Sequence, residues 1–223
     1  MHHLNSVLRL VIAIDGPAGA GKSTVSRRLA RELGLRYLDT GAMYRAVALK
    51  ALRKGISLAD GDAVADLMQQ TTIDFGDGDP QAVLLDGVDV SDAIRTPEMS
   101  EAASKISTST PVRRALVRRQ QAMVEAGSVV LEGRDATTVI APHADVKVYM
   151  TASLEERARR RSLELGDRGL PVRFETVRTQ LEHRDHRDIT RDDSPLTVAP
   201  GAHIVETAGR TIDEVVAAIK ALL

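Results

Sequence analysis

Gly16 to Ser23 reads GPAGAGKS, which fits the spacing G-x-x-x-x-G-K-[ST]. Glycines at 16, 19 and 21 free the backbone to close around an anion, Lys22 adds a full positive charge, and the Ser23 hydroxyl suits a magnesium ion. The preceding stretch Leu8 to Ile14, LRLVIAI, is apolar and strand-like. The following stretch, KSTVSRRLAREL over 22–33, carries Val25, Leu29, Ala30 and Leu33 at helical spacing. A glycine loop between strand and helix turns backbone amides and a helix N-terminus toward a phosphate. Gly16, Pro17, Ala18, Gly19, Ala20, Gly21, Lys22, Ser23 and Thr24 are therefore expected to cradle a nucleoside polyphosphate. The glycines run G-x-x-G-x-G, not G-x-G-x-x-G, which argues against a dinucleotide fold.

A second apolar strand, VVLEGRD over Val129 to Asp135, ends in acid, glycine, arginine and acid. Glu132 is placed to hold magnesium through a water; the alternative is a carboxylate that caps the next helix. Arg45, Arg113, Arg134, Arg184 and Arg191 fall at loops and helix starts, more than one polyphosphate needs, so a second anion is expected. ERARRRSLELGDRGLPVR, Glu156 to Arg173, reads as a lid, with Gly166 and Gly169 as flexible points. Arg157, Arg160 and Arg161 share one helical face, and Glu155 with Arg159 and Glu156 with Arg160 are spaced to pair. Arg157 and Arg161 are expected to meet phosphate on closure, and Arg159 to stay solvated. His183 and His186 lack a third ligand and read as surface residues, and His2-His3 is too short for a tag.

These groups need a scaffold. Strand-like runs near 8–14, 37–38, 128–131, 145–150 and 202–205 alternate with helical ones, which gives an α/β fold: a five-stranded parallel sheet with helices on both faces, a P-loop NTPase core. Helices are expected over 22–33, 42–54, 60–70, 96–107, 111–126, 154–165, 174–189 and 212–222. Between them, 72–90 holds three short β-prone pieces parted by GDGDP and Asp86-Gly87, an antiparallel insertion. The 223 residues are 43% hydrophobic and 27% charged, enough for a full core, with a formal net charge of -1, so no global field draws nucleic acid or anionic lipid. Of thirty Lys and Arg, six are Lys; the excess of planar guanidinium forks suits phosphate, though position must decide. Absent cysteine excludes disulfides and thiolate chemistry, and three Tyr and two Phe are too few for base-stacking platforms. No apolar run spans a bilayer, so a cytoplasmic protein is expected.

DTGAMYRA (Asp39 to Ala46), EGRD (Glu132 to Asp135) and RDHRDITRDDSPL (Arg184 to Leu196), together with the glycine loop, closely resemble the bacterial cytidylate kinases, a branch of the nucleoside monophosphate kinases. The resemblance runs from about Val11 to Ala218. It implies transfer of the ATP γ-phosphoryl group to CMP or dCMP by a monomer, with magnesium, on a core of 1–39 and 108–223 (lid about 157–173) carrying a monophosphate-binding domain of 40–107, the insertion spanning about 60–107. It also implies that Thr40, Tyr44, Arg45, Arg134 and Arg191 hold the monophosphate, Arg184 and Asp188 the ribose, and Ser104, Arg113 and Asp135 the cytosine. Lys22, Arg134, Arg191, Arg157 and Arg161 would neutralise the transferring group. After EGRD the family continues with an apolar residue, Gly and Thr; here Ala136-Thr137-Thr138 follow, and a glycine permits a tighter path than Thr137. A kinase for another small acceptor, UMP or shikimate, would share the loop, although an alcohol acceptor needs a base that is not evident. A regulatory ATPase would also share it, without using the second set of arginines.

Overall fold

VIAID, the strand β1 (Val11–Asp15), is buried along its whole length, as a strand covered on both faces must be. It lies in a computed structural model that describes residues 9–76, 78 and 80–223; Leu8 of the expected first strand, His2-His3, and Asp77 and Asp79 of the GDGDP turn lie outside the described residues. Beside β1 run β6 (Val129–Gly133) and β7 (Val146–Thr151), with β2 (Arg36–Asp39) and β8 (His203–Glu206) at the edges. The order is β2-β6-β1-β7-β8 and every pairing is parallel, the expected five-stranded sheet. Asp15 pairs with Gly133 and Asp39 with Glu132, so β1, β6 and β2 end within a residue of one another along one edge, while β7 runs two residues past Tyr149, the partner of Asp15.

Alternating residues of β1 serve opposite faces. Ile12 and Ile14 join Val130, Val148 and Met150 in a core closed by α1 (Lys22–Leu33) and α8 (Ile212–Lys220). Val11 and Ala13 join Leu38, Val129 and Leu131 in a core covered by α2 (Thr40–Arg53), α4 (Pro97–Ile106) and α5 (Thr110–Glu125). That second core runs on to α3 (Gly61–Gln69) and to β3 (Ile73–Phe75) and β4 (Val83–Leu85), which with β5 (Val88–Asp89) form a separate antiparallel sheet. Its tight turn is Asp86-Gly87, both at positive φ (51° and 79°), the geometry a two-residue hairpin needs. A third, small cluster joins α6 (Leu154–Asp167) and α7 (Phe174–Thr190) through Ala158, Leu165, Val177 and Leu181, and takes in Ala18 of the glycine loop.

Helix boundaries follow local chemistry. Gly34, at φ 65°, ends α1; the Asp39 side chain caps α2; Thr96 caps α4 with Pro97 in its first turn; Thr211 and Glu214 form a capping box on α8. One element was not expected: Ala136–Ile140 is a π-helical turn straight after β6. Among the described residues only Asp86 and Ser194 combine a side chain with positive φ, so Thr137 stands in a conformation open to any residue.

Glycine is required at Gly133 by close approach. A Cβ there would lie 2.8 Å from Thr40 Oγ1, which itself donates to the Glu132 carbonyl at 2.6 Å. Gly133→Ala is expected to cost about 1–3 kcal/mol in urea unfolding, as overpacking does. Thr40→Ala combined with Gly133→Ala should lose less than the sum of the single changes; strict additivity would contradict this contact as the cause.

Candidate active site

The glycine loop leaves β1 at Asp15 and enters α1 at Lys22. A Cβ on Gly16 (φ 148°) would fall 2.0 Å from the Met150 carbonyl, so only glycine lets the loop pass β7. Gly21 precedes α1 in the left-handed conformation, and no side chain caps the helix and no acid stands in its first turn, which leaves that end for an anion. Lys22 is 5% exposed and its Nζ donates to the Gly16 and Pro17 carbonyls at 2.7 and 2.8 Å. Ser23 and Thr24 are exposed at the mouth of the loop. The loop is braced from outside: Arg157 Nη1 donates to the Ala18 carbonyl at 3.0 Å and Thr207 Oγ1 to the Ala20 carbonyl at 3.2 Å.

Glu132, buried at the end of β6, accepts from Tyr37 Oη at 2.6 Å and has the Ser23 side chain in hydrogen-bonding reach. Burial, and then Asp39, push its carboxyl above the usual range, against the pull of Lys22. Ser23 and Glu132 thus converge beside Lys22, while among the described residues no three His, Asp or Glu gather as a metal cage. His183 and His186 are both exposed.

Opposite the loop, the second group of expected residues comes together. Arg113, 1% exposed, donates through Nη2 to Asp135 Oδ2 and through Nη1 to the Ser107 carbonyl at 3.1 Å, and lies 5.8 Å from the Tyr44 ring centroid. Ser104 joins through Ser107, whose hydroxyl donates to the Ser104 carbonyl at 2.8 Å. Arg134 Nε donates to Asp188 Oδ2 at 2.8 Å, and Arg191 lies 3.7 Å from the other oxygen. Burial favours protonated Asp188, but Arg134, Arg184 and Arg191 outweigh it and hold the carboxyl below its ordinary value. Arg45 is held by Asp39 at 2.9 Å, and Thr40 by the Glu132 carbonyl. Tyr44 Oη, Arg45 Nε, Ser104 Oγ, Arg113 Nε and Arg184 Nε are buried with no hydrogen-bond partner, a cost that protein interiors normally avoid.

The charges are equally incomplete. Burial first, and Arg134 next, with Arg184 adding to them, bring Lys22 down to about 7. Burial and Arg134, helped by Arg45 and Arg161, bring Arg184 down to about 10. Cations that are shielded from water and face further cations call for an anion between them. Of the two lid arginines, Arg161 belongs to this field although it also pairs with Glu164 at 2.7 Å. Arg157 is occupied by the Ala152 and Ala18 carbonyls and by Asp185 at 2.6 Å. The pairing expected of the lid differs in one place: Glu156 takes both Arg159 and Arg160, and Glu155 faces Arg178 at 3.5 Å, because α7 packs against α6 and offers a partner from outside the helix.

Sequence reasoning missed Asp15, Tyr37, Asp39, Thr137 and Asp185. Tyr37 and Asp39, two apart on one strand, share a face and could have been read from that spacing. The others owe their roles to long-range contacts and leave no local signal.

The family described as cytidylate kinase matches residues 12–223. The chain belongs to the cytidylate kinase family. It is 50% identical to the cytidylate kinase of Desulforamulus reducens over 208 residues, 93% of this chain and 94% of that relative. It is 47% identical to the cytidylate kinase of Caldanaerobacter subterraneus subsp. tengcongensis over 209 residues, 94% of this chain and 92% of that relative. Among solved structures it is similar to an uncharacterized protein from Eubacterium ventriosum, with 13% identity and a TM-score of 0.53 over 96% of this chain and 97% of that one, a likeness of fold alone. Among the described residues no helix is long and apolar enough to cross a membrane.

With a pKa of about 7, Lys22 is mostly neutral at pH 8 in the free protein, and a bound polyphosphate must raise it. ATP binding at pH 8, where its phosphates are fully ionised, should therefore take up close to one proton, read by calorimetry in buffers of different ionisation enthalpy. Lys22→Met should abolish the uptake. Equal uptake in both proteins, or none in either, would contradict the shift.

Proposed function

We propose that this protein transfers the γ-phosphoryl group of ATP to CMP or dCMP, giving ADP and CDP or dCDP. The observation that carries the reading is the set of buried donors without a hydrogen bond, Tyr44 Oη, Arg45 Nε, Ser104 Oγ, Arg113 Nε and Arg184 Nε, together with Arg134 and Arg184 pressing on Lys22 of the glycine loop. Gly16 to Thr24 take the donor phosphates, with Lys22 on the group that moves. Thr40, Tyr44, Arg45, Arg134 and Arg191 take the acceptor phosphate, and Arg184 with Asp188 the ribose. Residues 40–107 then act as the monophosphate-binding part and about 157–173 as the lid, from which Arg161 and Arg157 steady the phosphates, Arg157 by way of the Ala18 carbonyl it already holds.

A phosphate monoester has its second pKa near 6, so at neutral pH the acceptor oxygen is already charged and needs no general base. It attacks the γ-phosphorus as the bond to the ADP oxygen breaks, and catalysis reduces to alignment and to charge neutralisation by Lys22 and the arginines. Ser23, and Glu132 through a water, fit magnesium, which keeps several waters and takes few protein oxygens beside phosphate. Bound there, magnesium supplies further neutralisation of the phosphate oxygens. Cytosine offers an exocyclic amine and an unprotonated ring nitrogen; Asp135 and Ser104 accept from the first and Arg113 donates to the second. The reading takes the protein as a monomer acting in the cytoplasm.

The test is kcat/KM for CMP and UMP in Asp135→Ala and Arg45→Ala. Asp135→Ala should narrow a selectivity that buried polar mismatch can carry to about 10⁴, while Arg45→Ala should weaken both substrates alike. ATP should be hydrolysed slowly without CMP. Equal loss of both substrates in Asp135→Ala would remove base reading from that residue. ATP hydrolysis that CMP does not alter would favour a regulatory ATPase.

A further inference from the structure

Asp15 is the last residue of β1 and wholly buried. Both its oxygens reach across to the segment that leaves β6. Oδ1 accepts from the Ala136 amide at 2.9 Å, and Oδ2 accepts from the Thr137 amide at 2.7 Å and from Thr137 Oγ1 at 2.6 Å. Burial pushes the carboxyl up, and the Thr137 side chain and amide oppose that by stabilising the charged form.

The location gives the contact its meaning. Asp15 is bonded to Gly16, the first residue of the donor loop, and Ala136 follows Arg134 and Asp135 on the acceptor side. The strand register between β1 and β6 ends at Asp15 and Gly133, so beyond that point the sheet no longer fixes one loop against the other. Three hydrogen bonds to one buried carboxylate cross the gap, and charge-assisted bonds are the stronger kind. They also hold the N-terminal end of the π-helical turn, where Asp135, committed to Arg113, supplies no cap of its own.

We propose that the contact between Asp15 and Thr137 fixes the donor loop against the acceptor-binding segment, and that the Thr137 hydroxyl is a positioning residue for phosphoryl transfer; the inference rests on the function proposed above. Thr137 touches neither substrate. The amide of residue 137 would bond Asp15 with any side chain, glycine included, but the hydroxyl adds a second donor to Oδ2 that resists rotation of the turn. Alignment for in-line transfer is sensitive, and a displacement of about 1 Å can cost about 10²-fold in rate.

Three variants of the full chain test this. Thr137→Val keeps the shape without the hydroxyl, Thr137→Ala removes the hydroxyl without the added methyl, and Thr137→Ser restores it. Thermal unfolding and calorimetric CMP titration give the folded, competent fraction. Thr137→Val and Thr137→Ala are expected to lower kcat per competent site by about tenfold or more while KM for ATP and CMP stay within about threefold, and Thr137→Ser should retain wild-type kcat. Unchanged kcat in the first two, a rise in KM with kcat intact, or a Ser variant as slow as the Val variant would each overturn the proposal. Failure of the wild-type chain to phosphorylate CMP would instead remove the functional reading on which it stands.

Discussion

Burial first, and the neighbouring Arg134 next, pull Lys22 and Arg184 below their ordinary values, and cations gathered in this way are unfavourable unless something negative lies among them. The surrounding carboxylates answer part of the need. Asp39 holds Arg45, Asp188 holds Arg134 and approaches Arg191, and Asp185 holds Arg157. Several donors still make no hydrogen bond. On the proposed function, substrate binding is an exchange of partners: phosphate oxygens would replace carboxylates at some guanidinium groups and give others their first hydrogen bond. The carboxylates keep the arginines in place and folded in the meantime, at a smaller electrostatic cost than leaving them bare.

That exchange demands a rigid frame on one side and movable parts on the other. The frame is the edge of the parallel sheet, where Asp15, Asp39 and Glu132 lie at or next to the ends of neighbouring strands in register. The glycine loop is tied to the frame from three directions: by Lys22 to its own carbonyls, by Thr207 after β8, and by Arg157 from α6. The segment expected to act as a lid, about 157–173, is fastened less firmly. The cluster joining α6 and α7 is small, and past α6 the tip meets the insertion through Arg168 Nη1, which donates to the Arg95 carbonyl at 2.7 Å. One exposed hydrogen bond of that kind opens easily, and local opening of this sort is how lids admit substrate.

Local pattern carried most of the fold. The helix over 22–33 was legible to the residue because Gly21 and Gly34 bracket an apolar periodicity, and the hairpin at Asp86-Gly87 because those residues accept positive φ. The π-helical turn after β6 was not, since its start is held by Asp15, 121 residues away. The same reason hid which partner Tyr37 takes, Glu132 being 95 residues away, although its shared face with Asp39 on β2 is local. The donor loop was readable from spacing alone. The acceptor residues were named through family resemblance, for Ser104, Arg113, Arg184 and Asp188 lie on three different helices and nothing in their spacing joins them. Thr137 looked like a departure that could disturb the backbone; instead its side chain found a partner in Asp15 and its φ stayed in the ordinary range.

The account rests on the buried arginines being a receptor for the acceptor phosphate. A crystal structure with CMP and a non-hydrolysable ATP analogue tests that most directly. It should place the CMP phosphate within about 2.7–3.2 Å of Arg45, Arg134 and Arg191, with Arg45 released from Asp39 and Arg184 Nε supplied with an acceptor. A complex in which CMP lies elsewhere, the Arg45 to Asp39 pair stays closed and Arg184 Nε remains without a partner would contradict it.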